Sequence, residues 1–237
     1  MKALKGDSGA VSCLSFAPDN RRLAVACDQE VVGHFVSSIG SLRVWDLTTE
    51  EVKTFSNDAS RFAAFSPDGR LLAAALPENR VAIWDASTSE AVAIPAGIRH
   101  GMSVLAFAPD GGSLAAEGIA GSFGSPEIWS LNSTNSITFS GSHKRGIWSM
   151  AFSPDGKTLA TGSSDQTVRL WNLATGQEIL AIKGFKTDVA SLLFSPDGTW
   201  LAAGGASDGH GPVRLLRAPS FEEIQASEKV RAEARLK

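Results

Sequence analysis

One tetrapeptide constrains this chain more than anything else in it. Phe-Ser/Ala-Pro-Asp recurs at Phe16-Ala17-Pro18-Asp19, Phe65-Ser66-Pro67-Asp68, Phe107-Ala108-Pro109-Asp110, Phe152-Ser153-Pro154-Asp155 and Phe194-Ser195-Pro196-Asp197. From one Phe to the next the spacings are 49, 42, 45 and 42 residues. Self-similarity at such a period means that one supersecondary unit is repeated and stacked, because a single unit of this size cannot bury its own apolar surface.

The fourth copy shows the unit most clearly. Ile147-Trp148-Ser149-Met150-Ala151-Phe152 is a short, mostly apolar run, and Pro154-Asp155-Gly156 turns the chain behind it. Proline presets φ for a turn, and Asp-Gly adds local hydrogen bonding and a residue at ease with positive φ. Lys157 to Ser163 then reads as a strand of small residues, Ser164-Asp165-Gln166 as a second turn, Thr167 to Asn172 as a third strand and Glu178 to Lys183 as a fourth. Four short antiparallel strands in one period make a propeller blade, so the expected fold class is all-β, a β-propeller of four-stranded antiparallel blades.

The third strands end in Arg43-Val44-Trp45-Asp46, Val81-Ala82-Ile83-Trp84-Asp85, Glu127-Ile128-Trp129-Ser130 and Arg169-Leu170-Trp171-Asn172, with a fifth, degenerate copy at Arg214-Leu215-Leu216-Arg217. This pattern resembles the WD-repeat β-propeller family, over roughly residues 1 to 220, and is similar to the WD-repeat arrays of bacteria that are often fused to other domains. The resemblance implies five WD repeats, at about 6–55, 56–98, 99–140, 141–183 and 184–220. It also implies a structural tetrad, matched in full only in the fourth copy: His143, Thr161 or Ser163, Asp165 and Trp171. Elsewhere the tetrad is eroded, with Glu78 in place of the Asp in the second copy and Phe185 in place of the His in the fifth. The tetrad's role in the family is structural, so His143 and Asp165 are assigned to blade rigidity rather than to catalysis.

The two ends leave closure open. Ala3-Leu4-Lys5-Gly6 aligns with Ala181-Ile182-Lys183-Gly184 and reads as a fourth strand without a blade of its own. Either it fastens onto the last blade and closes a five-blade ring, or the chain is the C-terminal part of a larger propeller, the reading favoured here. Ser220 and Glu223 form a capping-box pattern, so the charged tail 221–237 is expected to be helical.

Composition narrows the function. Of 237 residues 43% are hydrophobic, ordinary for a chain with a packed core, yet no run is long and apolar enough to span a bilayer and the first residues lack a secretory pattern. The expectation is a cytoplasmic protein that binds no membrane. Cys13 and Cys27, too few for a disulfide framework, read as reduced core residues. A net charge of -3 offers no electrostatic footprint for nucleic acid, and a protein or peptide partner is expected instead.

Chemistry is sparsely represented. Gly6-Asp7-Ser8-Gly9 resembles the nucleophile motif of trypsin-like proteases, but only seven residues precede Ser8 and none is a His, whereas that family needs its base upstream. His34, His100, His143 and His210 stand in different copies, so no metal is expected, and neither Gly118–Gly124 nor Gly204-Gly205 fits a phosphate loop, so no cofactor is. The loops before the first strand and between the second and third strands gather on one face of a propeller. There Arg61, Arg99, His100, Lys144, Arg145, Trp148 and Lys186 are the candidate binding residues, a basic set in an acidic chain that suits an acidic or phosphorylated segment. The insertion from Asp28 to Ser41, with Val31, Val32, Phe35 and Val36, is a second candidate contact. The resulting expectation is a non-catalytic scaffold for protein-protein interaction. One rival is a sensory or regulatory portion of a larger bacterial signalling protein such as a Ser/Thr kinase. The other is an enzyme with carboxylates or His in the central channel, for which the innermost runs Leu105-Ala106-Phe107 and Ser191-Leu192-Leu193-Phe194 offer neither. The oligomeric state stays open.

Overall fold

The computed structural model describes residues 10–27, 30–32, 35–38, 40–58, 62–76, 80–92, 100–118, 124–133, 135–206 and 213–217. All twenty of the regular elements among them are strands. The first sheet holds β1 (Val11–Phe16), β2 (Arg22–Cys27), β5 (Ser41–Asp46) and β6 (Val52–Ser56), in that order. Between β2 and β5 the insertion folds into its own antiparallel hairpin, β3 (Glu30–Val32) and β4 (Phe35–Ser38), with Val31 opposite Val36 and Val32 opposite Phe35. Ser41 belongs to β5 rather than to the insertion.

The second sheet is β7 (Phe62–Phe65), β8 (Leu71–Leu76) and β9 (Arg80–Asp85), with a bridge from Trp84 to Ala91 on its outer side among the described residues. The third is β10 (His100–Phe107), β11 (Ser113–Gly118), β12 (Ser125–Ser130) and β13 (Ser136–Thr138). The fourth is β14 (Ile147–Phe152), β15 (Thr158–Ser163), β16 (Val168–Asn172) and β17 (Gln177–Ile182), and the fifth is β18 (Asp188–Phe194), β19 (Trp200–Ala206) and β20 (Val213–Arg217). Five antiparallel sheets of three or four strands in simple chain order are the blades expected from the repeat. Ala3–Gly6 and the charged tail 221–237 lie outside the described residues.

The recurring tetrapeptide closes the hairpin between the first two strands of every blade. Gly156 N donates to the Ser153 carbonyl at 2.9 Å, and Gly69 and Gly198 repeat the bond to Ser66 and Ser195. The Ser153 hydroxyl donates to the Asp155 carboxylate at 2.6 Å and accepts Thr158 N at 2.9 Å, so one side chain ties both ends of the turn. Gly69, Gly111, Gly156 and Gly198 all take φ between 66° and 73°, and Asn20, the residue type after glycine best suited to that region, takes 56° in the first copy. At the opposite end of the third strand, the Asp of Trp-Asp turns the chain into the fourth. Asp85 Oδ1 accepts Ser87 N at 2.8 Å and Thr88 N at 3.0 Å, and Asp46 and Asn172 do the same in their blades.

The core lies between blades rather than within them, since a single sheet has no interior. Four apolar clusters fill the four interfaces. Leu42 and Val44 of the first blade meet Phe65, Leu72 and Trp84 of the second, and Val81 and Ile83 of the second meet Leu105, Leu114 and Trp129 of the third. Ile128 of the third meets Ile147, Leu159 and Trp171 of the fourth, while Val168 and Leu170 of the fourth meet Val189, Leu192 and Phe194 of the fifth. Because both faces of each inner blade are covered, the second strands combine a buried Leu (Leu72, Leu114, Leu159) with mostly small residues such as Ala74, Ala116 and Gly162, which let adjacent sheets approach. No such cluster joins the fifth blade to the first among the described residues, so the five blades form an arc. Cys27 is buried, whereas Cys13 is only half-buried, its Sγ 3.4 Å from the Ala63 carbonyl of the next blade.

Candidate functional site

The fourth blade carries a continuous hydrogen-bonded chain across its upper end. Trp171 Nε1 donates to Thr161 Oγ1 at 2.8 Å, His143 Nε2 lies 2.7 Å from the same oxygen, and His143 Nδ1 lies 3.1 and 3.2 Å from the two Asp165 oxygens. A carboxylate can only accept, so Nδ1 carries the proton and Nε2 accepts from the Thr161 hydroxyl. Each donor then meets one acceptor with a neutral imidazole. Burial holds the His143 pKa below its ordinary 6.5 even though Asp165 pulls the other way, which agrees with that protonation state. Burial alone would raise Asp165, but hydrogen bonds from the Thr167 hydroxyl at 2.6 Å and Lys144 N at 2.9 Å, with His143 beside it, hold it below the usual carboxylate range.

Sequence left Thr161 and Ser163 as alternatives for one place in this chain, and Thr161 takes it. Ser163 is equally buried but donates to the Arg145 carbonyl at 3.1 Å and accepts Asp165 N at 3.0 Å. The two serve one end: His143 precedes the first strand, Asp165 follows the second, and their pairing fixes both loops over the same edge of the blade. In the fifth blade Phe185 fills the slot of the His and is buried beneath the Arg214 guanidinium, 4.8 Å from the ring centre. Glu78 lies outside the described residues.

Of the seven candidate binding residues, Lys144, Arg145, Trp148 and Lys186 are exposed at this same end, on the loops or strands that open the fourth and fifth blades. The strands these residues open or stand on, β14 and β18, lie side by side, with the Ser149 hydroxyl donating to the Val189 carbonyl at 3.2 Å. Trp148 is 42% exposed. Its register explains this: Ile147 pairs with Ser163 and Ser149 with Gly162, so Trp148 is the extra residue of a β-bulge, turned out of the alternation. The same irregularity recurs at Ser12 and Ala190, where the side chain is small. Asp188 is the carboxylate nearest Lys186 in sequence, at the start of β18. Arg61 and Arg99 lie outside the described residues; His100 opens β10, paired with Gly118.

One buried carboxylate carries no motif that marks it in the sequence. Glu117, in β11, accepts Gly124 N at 3.0 Å and Ile147 N at 3.1 Å through the same oxygen, and so spans the third and fourth blades. Gly124 is required there twice over: its φ is +87°, and a Cβ would collide with the Arg145 carbonyl and with His143. The one signal is a charge inside the run Leu114-Ala115-Ala116-Glu117, where the fourth copy has Gly162. The Gly118–Gly124 segment is thus a close approach between blades in its last residue. Among the described residues no group of His, Cys, Asp and Glu is arranged to hold a metal ion, and no helix is long and apolar enough to cross a membrane.

The family described as "WD domain, G-beta repeat" matches residues 1–32, 126–172 and 176–210, leaving out the later part of the first copy, the second copy and most of the third. Echinoderm microtubule-associated protein-like 2 of Rattus norvegicus is 33% identical over 96 residues, 40% of this chain and 14% of that protein, and its Mus musculus counterpart gives the same figures. The chain therefore spans about a seventh of the length of these curated relatives. A chain in the solved structure "Crystal Structure of Mitotic Checkpoint Complex" superposes with a TM-score of 0.71 at 19% identity, over 88% of this chain and 60% of that one. Repeated motif, blade topology and matched segments agree: the chain carries WD repeats in these three segments, and its five sheets have the fold of WD-repeat propeller blades.

Proposed function

We propose that the chain is a non-catalytic scaffold that binds an acidic protein segment across the loop face of its fourth and fifth blades. The observation that carries this reading is Trp148. A tryptophan placed on a bulge, 42% exposed, above a rigid hydrogen-bonded edge supplies a large contact at little entropic cost. Lys144, Arg145 and Lys186, exposed on the loops that open the fourth and fifth blades, favour negative charge, and the carboxylate of Asp165 is already committed to His143, Thr167 and Lys144 N. Among the described residues at this end, Glu117 Oε1 accepts two backbone N–H groups and both ring nitrogens of His143 are engaged by the Thr161–Asp165 chain, which supports a structural role for both. Propellers of this family generally mediate protein-protein interaction, which this reading makes specific to one face.

The test is binding of labelled acidic peptides, with and without phosphoserine, followed by fluorescence anisotropy at low and high salt. Trp148→Ala should weaken binding by ten-fold or more, about 1.4 kcal/mol, since central aromatic anchors carry most interface energy. Arg145→Glu should weaken it further at low salt than at high. Equal affinity of the wild type and the Trp148→Ala variant for every bound peptide would remove this face from consideration.

A further inference from the structure

The segment from His143 to Ile147, which leads into the Trp148 bulge, has a backbone group tied down at every residue. His143 N donates to the Gly124 carbonyl at 2.8 Å, Lys144 N donates to Asp165 Oδ2 at 2.9 Å, and the Arg145 carbonyl accepts the Ser163 hydroxyl at 3.1 Å. The Gly146 carbonyl accepts Ser164 N at 3.2 Å, and Ile147 N donates to Glu117 Oε1 at 3.1 Å. The three middle ties come from Ser163, Ser164 and Asp165 of the fourth blade itself. The two outer ones come from the third blade, and Glu117 joins them, because the same oxygen accepts Gly124 N at 3.0 Å. Between those two anchors stand the exposed side chains of Lys144 and Arg145, with Trp148 one residue beyond.

Stacking of blades does not call for an acid at this place. Three residues after the buried Leu of each second strand stand Ala26, Ala75, Glu117, Gly162 and Gly204, so the other four blades carry nothing longer than a methyl group there. In the next interface Gly162 lies against Val189, the counterpart of Ile147, and has no side chain with which to hold it. The bulges differ in step with this. Their extra residue is Ser12 in the first blade, Trp148 in the fourth and Ala190 in the fifth, and Glu117 stands behind the one that carries a large side chain.

We infer that Glu117 is a positioning residue for the binding face: it holds the 143–148 segment in the arrangement that presents Lys144, Arg145 and Trp148. This rests on the reading of that face as the site for an acidic segment. Anchors on a rigid neighbouring blade remove the segment's freedom before the partner arrives, so less is lost on binding. Glu117 is 4% exposed and acts through the segment rather than on the partner. Its charge opposes that of an acidic peptide, so positioning and direct electrostatics predict effects of opposite sign when it is removed.

The experiment uses the full chain with Glu117→Ala, with Glu117→Met, which fills the space but offers no oxygen, and with Glu117→Gln, which keeps one. Gly156→Ala, in the hairpin at the other end of the same blade, is the control for lost stability. Two quantities are read under native conditions: hydrogen exchange of the 143–148 amides by mass spectrometry, and anisotropy of a labelled peptide of alternating Glu and Ser. In the Ala and Met variants the segment should exchange about ten-fold faster and affinity should fall about ten-fold, as when a competent loop is populated a tenth of the time. Glu117→Gln should stay near the wild type in both, and Gly156→Ala should leave both unchanged. Should Glu117→Ala fail to fold, Glu117→Met makes the same comparison. A segment that stays protected in these variants, or an affinity equal to or above that of the wild type, overturns the proposal. An equal loss in Gly156→Ala does so too, by reducing the effect to stability. A wild type that binds no acidic peptide removes the acidic-partner reading instead. Exchange then decides alone: a rise confined to 143–148 keeps Glu117 as the anchor, and an unchanged rate removes it.

Discussion

Trp171 Nε1 and Thr161 Oγ1, both on fully buried side chains of the fourth blade, lie 2.8 Å apart, and the same hydroxyl is 2.7 Å from His143 Nε2. Removing the hydroxyl orphans an indole donor and an imidazole acceptor together. Thr161→Val should therefore destabilise the chain by about 2–3 kcal/mol despite its similar shape, because buried polar groups left unpaired incur their full desolvation cost. Thr161→Ser should retain most of the stability. Urea unfolding followed by tryptophan fluorescence distinguishes the two.

Acid should weaken the fold in two stages. Folding lowers the His143 pKa below 6.5, so the unfolded chain binds a proton that the folded one refuses. The resulting loss begins as pH falls through about 6.5 and is complete below the folded value. Asp165 and the turn carboxylates Asp68 and Asp197 are also lowered in the folded state, and Asp85 is lowered to about 2 by the Ser87 hydroxyl and the N–H groups of Thr88 and Ser87. Their contribution is present above 3.8 and is lost as pH falls below it. A plot of the urea midpoint against pH should show both steps, and His143→Gln should remove the upper one while lowering the plateau.

At Gly162 the fourth and fifth blades approach closely. A Cβ there would stand 2.5 Å from Ser149 Oγ, 2.6 Å from Val189 Cγ1 and 2.9 Å from the Val189 carbonyl. Gly162→Ala should destabilise by about 1–3 kcal/mol, the range for overpacked cores. Since backbone must shift, the blade-five amides of β18 should lose hydrogen-exchange protection first, which mass spectrometry resolves.

Turn glycines answer to conformation instead. Gly156 has φ +66° and open space where a Cβ would go, so Gly156→Ala should cost about 1 kcal/mol, from the left-handed backbone alone. Ser89, at φ 66°, presents the reverse case, and Ser89→Gly should raise stability by about 0.5 kcal/mol. Thermal unfolding of the pair checks both signs.

Glu117→Ala removes the acceptor of two N–H groups at the third and fourth blades and should cost about 2–4 kcal/mol, whereas Glu117→Gln, which keeps an oxygen in place, should cost less than half of that. If both variants unfold at the wild-type urea concentration, the carboxylate does not fasten these blades.

Much of the fold is legible in the order of residues alone. The Phe-x-Pro-Asp turns stand out because a tight reversal needs specific residues at fixed offsets, and those offsets are local. Trp-Asp at the end of the third strand is visible for the same reason. The choice of Thr161 over Ser163 is not, since both are hydroxyls on one strand and only its register against Trp171 separates them. Glu117 is hidden because its partners stand on Gly124 and in another blade, and the outward turn of Trp148 because a bulge changes which way a side chain faces without changing the residue.

Sequence by itself determined the unit: four short strands, their turns, the number of copies and the small-residue second strands that let sheets stack. All of these follow from φ/ψ preference and strand periodicity, which act within a few residues. Only the tertiary structure decided that the core lies in four gaps between five sheets, and that Val11, Leu14 and Phe16 on β1 and Leu193, Val213 and Leu215 on β18 and β20 are exposed among the described residues. Burial belongs to pairs of blades, and a residue's own identity does not record whether its neighbour is there.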